Sequence, residues 1–291
     1  MRIQTLSILA GSEACNARCP YCISKMTPAQ GMRLSEPEVN WRNFKIACRL
    51  AQQCGVTVVM LTGKGEPILF PEQITKYLQA LEDYPFPLIE LQSNGILFLD
   101  QQEEYARHLH DWYALGLTTI AISVAHYLPE KNHEIYLPHR KSYIDLPLLI
   151  QTMHAHKFSV RLTSVLADGY IDNRESLQAF IAFAREHQVE QLTFRPVNHP
   201  KSSRNPESFD WASRHHLKPE QLADIQTYLE SHGHLLMTLV HGAQVYDVEG
   251  QNVCLTDSLT IDPRSEDLRQ LIFFPDGHLR YDWQYPGAIL L

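Results

Sequence analysis

Six short runs rich in apolar and β-branched residues, each followed by a stretch of helical periodicity, constrain this chain more than any other feature. The runs are Thr5 to Gly11, Val56 to Gly63, Leu88 to Asn94, Thr118 to Val124, Ser159 to Leu166 and Gln191 to Val197. Near-continuous apolar strands are those buried on both faces, and strands separated by helices pair in parallel through right-handed crossovers. Two architectures fit: an open doubly wound sheet, or a full or partial barrel. Helix starts are legible between the runs. Ser35 with Glu38 forms a capping box for a helix reaching about Gln53, Pro71 opens PEQITKYLQALEDY, and Asp172 with Glu175 caps NRESLQAFIAFAREH.

After about Asn198 the rhythm breaks. The stretch HPKSSRNPESFDWASRHH reads as a long loop, and LKPEQLADIQTYLESHG as a helix with Gly233 at C′. From Leu235 onward the chain reads as antiparallel β, with Asp276-Gly277 as a hairpin turn. The expected organisation is a βα core over residues 1–200 and a C-terminal helix plus antiparallel β extension over 201–291, which caps the substrate.

Chemistry is concentrated in the cysteines. Three of the six fall within eight residues, in ACNARCPYC, as Cys15, Cys19 and Cys22 just after the first strand. Such a cluster in a reducing compartment points to metal rather than to disulfides. Thiolates are the ligands of iron–sulfur clusters, which usually take four; three without an obvious fourth leave one metal ion open. A zinc or structural cluster with a distant fourth ligand, Cys254 or a histidine, also fits the spacing. Cys48 and Cys54 read as core residues. The His108/His110, His154/His156 and His232/His234 pairs are i, i+2 pairs, which diverge on a helix and read as solvated or capping residues.

CxxxCxxC after a first strand, with Tyr21 before the last cysteine, resembles the signature of the radical S-adenosylmethionine (SAM) superfamily, especially the branch related to the molybdopterin-precursor cyclase. The resemblance implies a partial (β/α)6 barrel with a C-terminal α+β extension, a 4Fe–4S cluster on the three cysteines, and SAM on the open iron. The expected outcome is reductive cleavage of SAM to a 5′-deoxyadenosyl radical that abstracts hydrogen from a substrate. TGKGEP (Thr62 to Pro67) resembles the family's GGEP motif, which binds the methionine amino group; it departs at Lys64 and keeps Gly65, Glu66 and Pro67. By the same resemblance Gly63, Gly65, Glu66, Ser93, Asn94 and Ser123 contact the cofactor, as do Thr163 and Ser164 on the fifth strand. Arg195, ending the sixth, is suited to the SAM carboxylate or an anionic substrate group. His126, Tyr127 and Asp276 are pocket candidates for acid–base work. No auxiliary-cluster motif follows.

The implied substrate is a small molecule, a nucleotide or biosynthetic intermediate, with a peptide as the alternative; flavodoxin or ferredoxin would supply the electron. No apolar run reaches the roughly 18 residues of a membrane span. The first residues read as a strand rather than a signal peptide, so a cytoplasmic protein is expected. A net charge of −8 argues against a large nucleic-acid footprint.

Overall fold

The computed structural model describes residues 3–136, 141–197, 199, 203, 205–239, 242–256, 268–283, 285 and 287–291. The six expected runs are all strands: β1 (Ile3–Leu9), β2 (Val58–Thr62), β3 (Leu88–Ser93), β4 (Thr119–Val124), β5 (Ser159–Leu166) and β6 (Gln191–Pro196). Five more follow: β7 (His234–Thr238), β8 (Gln244–Val248), β9 (Gln251–Leu255), β10 (Leu268–Phe273) and β11 (Leu279–Arg280). They form one sheet in the order β11-β10-β1-β2-β3-β4-β5-β6-β9-β8-β7, whose ends do not meet. It is an unclosed barrel with helices outside.

The alternation along each strand explains the layering. Leu6 and Ile8 of β1, and Leu271 and Phe273 of β10, face the main core under the helices. Thr5, Ser7 and Leu9 face the lumen, opposite Gln270 and Ile272 in register. The lumen side is polar through β2–β6: Thr62 donates to Gln92 at 3.0 Å, Gln92 donates to Glu90 at 3.1 Å, and Arg161 pairs with Glu90.

The C-terminal segment departs from its antiparallel reading at both of its joins. Antiparallel pairing holds within β7-β8-β9 and between β10 and β11. However, β10 adds parallel to β1, and β9 adds parallel to β6. Apolar alternation fixes which face a strand buries but not which strand lies beside it.

Several helix boundaries also shift. The helix Trp41–Gln53 is capped by Asn40, whose side chain accepts from Asn43 N, and not by Ser35. Asn173, with Ser176, caps the helix Arg174–Glu186, displacing Asp172 and Glu175. Within the expected loop lies the helix Pro206–His215, with Asn205 accepting from Ser208 N and Pro206 at its first turn. Gly233 ends the helix Pro219–His232 with φ −101°, so it is not a left-handed cap. Glycine is needed there for space, since a Cβ would come within 2.6 Å of Leu229 O.

Candidate active site

The cysteine loop leaves β1 through Gly11, at φ +75°, where a side chain would strike the Phe70 ring. Gly11 N donates to the buried Gln73 Oε1 at 2.6 Å. The loop is then locked to the TGKGEP turn after β2: Glu66 N donates to Ala14 O at 2.8 Å. A Cβ at Gly65 would overlap that same carbonyl, which is why glycine stands there. Lys64 is buried and donates to Thr27 Oγ1 at 2.8 Å and Pro28 O at 2.7 Å, holding the segment beyond the cysteines. The motif's departure at Lys64 is therefore a clamp.

Glu66 is the buried carboxylate at the centre. Its Oε1 accepts from Ile68 N at 3.3 Å and its Oε2 from Asn94 N at 2.9 Å. Burial pushes its pKa up to about 7 despite those hydrogen bonds and one to Ser93. Asn94 in turn accepts from Ile96 N and donates to Asn16 Oδ1 at 2.6 Å, tying the end of β3 to the cysteine loop. Among the described residues, Asn16 Nδ2 is buried without a partner, as is the Tyr143 hydroxyl, which feels the charges of Cys19 and Glu66. Neither residue stands out in the sequence as a site residue. Asn16 lies inside the cysteine motif, and nothing local marks Tyr143.

Cys15 is exposed, and Cys19 and Cys22 are half-buried. Although the Cys15 residue as a whole is exposed, burial on the sulfur's inner side, with the Glu66 carboxylate and then the Cys22 sulfur, pushes its thiol up to about 11; burial and the Cys22 and Cys15 sulfurs raise Cys19 well above its ordinary value. The three are thus close enough to act on one another. Among the described residues, no three His, Cys, Asp or Glu side chains converge on a single-ion site. Cys254, the distant fourth ligand of the zinc reading, sits instead among Arg161, Arg195 and Arg269. Tyr21 packs against Trp211 at 5.4 Å and hydrogen-bonds Tyr136, backing the loop.

The other expected residues divide. Ser123 and Thr163 are register partners on the lumen face of β4 and β5. Ser164 points to the opposite face, where its hydroxyl donates to Ala125 O at 3.3 Å. Arg195 enters the lumen from β6, and burial, with Arg161 and Arg269 nearby, lowers its pKa to about 10. His126 accepts from Leu128 N at 3.0 Å through Nδ1, with burial lowering its pKa to about 4. Tyr127 packs against His126, Phe180 and Phe183. Asp276 accepts from His278 N within the hairpin turn and pairs with the His278 ring at 2.8 Å. These three are occupied locally and do not gather around Glu66.

A model of the radical SAM superfamily matches residues 10–184, more than half of the chain. The chain belongs to that superfamily. Enzymes of that superfamily use a 4Fe–4S cluster and SAM, with an electron from a reductant and a substrate to act on. Among curated proteins, a GTP 3′,8-cyclase of Aeromonas hydrophila subsp. hydrophila is 25% identical over 185 residues, 62% of this chain and 51% of that protein. A GTP 3′,8-cyclase of Chlorobaculum tepidum is 28% identical over 182 residues, 62% and 50%. The chain thus spans about half the length of these relatives. Among solved structures, Streptococcus suis SuiB bound to S-adenosylmethionine aligns at TM-score 0.63 and 12% identity, over 99% of this chain and 62% of that one. The structure of anSMEcpe with bound AdoMet aligns at 0.60 and 13%, over 100% and 74%. Those likenesses establish the shared partial-barrel fold. No helix of the described residues is long and apolar enough to cross a membrane.

Proposed function

We propose that Cys15, Cys19 and Cys22 hold the cluster, and that SAM lies between the cysteine loop and the ends of β2–β5. The observation that carries this reading is the lock between the loop and Glu66, through Ala14 O and Asn94. Glu66 has lone pairs left on both oxygens, and an ammonium beside it supplies the charge that burial withholds. Gly63 and Gly65 let backbone approach the ligand, Asn94 orients the carboxylate, and Ser93 supports it. Ser123 and Thr163 face the lumen where a ribose would lie, while Ser164 keeps the strand's outer side satisfied. Tyr21 packs behind the cysteines and excludes water. When bound, the reduced cluster supplies the electron that cleaves SAM to methionine and a 5′-deoxyadenosyl radical.

The substrate of this reading is a small molecule, a nucleotide or biosynthetic intermediate, because the lumen below the pocket is lined by inward polar side chains. Flavodoxin or ferredoxin in the cytoplasm is the proposed reductant. One feature favours a peptide instead. The edge strand β7 carries Leu235, Leu236 and Met237 exposed, and among the described residues its outer edge is unpaired, as strand addition requires.

Anaerobic reconstitution with iron and sulfide tests the cofactor site. The wild type should gain the visible charge-transfer absorbance and release 5′-deoxyadenosine from SAM with dithionite. Alanine at any of the three cysteines should abolish both. Retention of the full cluster by a Cys19→Ala variant would sink the ligand assignment. Deuterated candidate nucleotides and peptides then identify the substrate class by label in 5′-deoxyadenosine.

A further inference from the structure

Behind the cysteine loop three tyrosines stand together, and only two of their hydroxyls are used. Tyr21 and Tyr136 hydrogen-bond one another. Tyr143 stacks on Tyr136 with ring centroids 5.8 Å apart, yet its hydroxyl is buried and, among the described residues, has no partner. Its neighbours fix where it stands. Tyr136 O accepts from Arg18 N, the residue before Cys19, at 2.8 Å. Ile144 Cδ1 comes within 3.8 Å of the place a Cβ on Gly95 would take, next to Asn94. The ionisable groups that act on the hydroxyl are Cys19 first and then Glu66. The phenol thus lies between a cysteine of the loop and the buried carboxylate, and neither accepts its hydrogen bond.

A second lone donor lies in the same loop. Asn94 Oδ1 accepts from Ile96 N, so the amide nitrogen of Asn94 is the one that donates to Asn16 Oδ1. That fixes the Asn16 amide in turn and leaves its Nδ2 buried without an acceptor among the described residues. Both groups are able to donate, and what each lacks is an acceptor. A buried donor left unmade is costly. Phenylalanine would fill the same space as Tyr143 and stack on Tyr136 equally well, so packing alone does not call for the hydroxyl. An iron–sulfur cluster on the cysteines brings thiolates and sulfides, which are acceptors.

We propose that the Tyr143 hydroxyl donates to a sulfur on the Cys19 side of the cluster and raises the cluster's reduction potential. The inference rests on the cluster assignment above and adds a positioning residue to it. The electron comes from the reductant and adds negative charge to the sulfurs. Tyr143 keeps its proton, and its O–H dipole stabilises the more negative state more than the less negative one. Without the donor, the cluster is harder to reduce.

The test compares wild type and Tyr143→Phe after anaerobic reconstitution with iron and sulfide, first without SAM. Both should carry the same iron per chain. In a dye-mediated titration followed by electron paramagnetic resonance, the reduced-to-oxidised ratio at a fixed solution potential should be about fivefold lower in Tyr143→Phe, the factor of one modest hydrogen bond. SAM affinity, read by calorimetry, should be the same in both. The metal-free Tyr143→Phe chain should unfold at the wild-type temperature or higher, because it loses only an unpartnered hydroxyl. Tyr113→Phe, at a tyrosine 43% exposed, should match wild type throughout. A lower Tm of metal-free Tyr143→Phe would mark a hydroxyl partnered by the protein itself and overturn the proposal. So would weaker SAM binding with an unchanged potential, which would make Tyr143 a SAM ligand. An intact cluster with the same potential in both proteins would sink this inference alone, whereas a wild type that takes up no cluster would sink the cofactor reading beneath it.

Discussion

A Cβ added at Gly65 would overlap the Ala14 carbonyl, and backbone on both sides leaves neither party room to move. The expected result of Gly65→Ala is a loss of about 1–3 kcal/mol, the range of overpacked sites, together with poor iron uptake because the cysteine loop is displaced. Gly55→Ala is the control, at φ +79° with open space around it; it should cost about 1 kcal/mol and leave the iron-to-protein ratio unchanged. Urea unfolding and iron analysis read both. His126 makes a second prediction at this scale. Its pKa falls from 6.5 to about 4 in the fold, so the unfolded chain binds the proton first as pH drops. Stability is whole above pH 6.5 and is lost as pH falls toward 4. Discounted for one-sided burial, the loss is about 1–2 kcal/mol. His126→Asn keeps an acceptor for Leu128 N and should lose that much less across the window. Equal slopes for both proteins would refute the assignment. At this scale, residue types and spacing made Glu66 and Asn94 legible, because a motif carries them. Lys64 as a clamp, Asn16 and Tyr143 were not, because each acts through a partner distant in the chain.

Among the elements, the helix Pro206–His215 shows how composition misleads. Its residues are polar enough to read as loop, yet Asn205 and Pro206 are a sound start signal. What folds it is an aromatic ledge. Trp211 packs against Tyr21 at 5.4 Å, against Tyr170 at 6.3 Å and stacks on His215 at 4.6 Å. The helix thereby backs the cysteine loop. Asn205→Ala should cost about 1 kcal/mol and raise amide exchange within residues 206–215 alone. Trp211→Ala should reach further, shortening the lifetime of the cluster absorbance in air severalfold. If cluster lifetime is unaffected, the helix does not shield the loop. The β1–β6 strands, by contrast, were legible from local pattern alone, since each buries an apolar face under the helices and turns the other to the lumen.

At the scale of the whole molecule, the partner of each edge strand is the property that local pattern does not carry. Ile3 pairs with Leu268 and Thr193 with Cys254, contacts that close across most of the chain or across two helices and a hairpin. The division at residue 200 therefore crosses a continuous sheet, in which β1 is an inner strand only because β10 lies beside it. Removing everything after Thr256 tests what that closure is worth. The deletion takes away Leu271, Ile272, Phe273, Phe274 and Leu279, none more than 1% exposed. At roughly 1.5–3 kcal/mol for each buried side chain, the loss is about 10 kcal/mol, comparable with the roughly 5–15 kcal/mol that holds a whole domain together. It also bares the β1 edge and the lumen face carrying Ser7 and Leu9, directly below the cysteine loop. The shortened chain should show no cooperative urea transition and should fail to retain iron after desalting. A cooperative transition with a cluster still bound would mean that the first 256 residues fold by themselves, and that the last strands only cover a core already made.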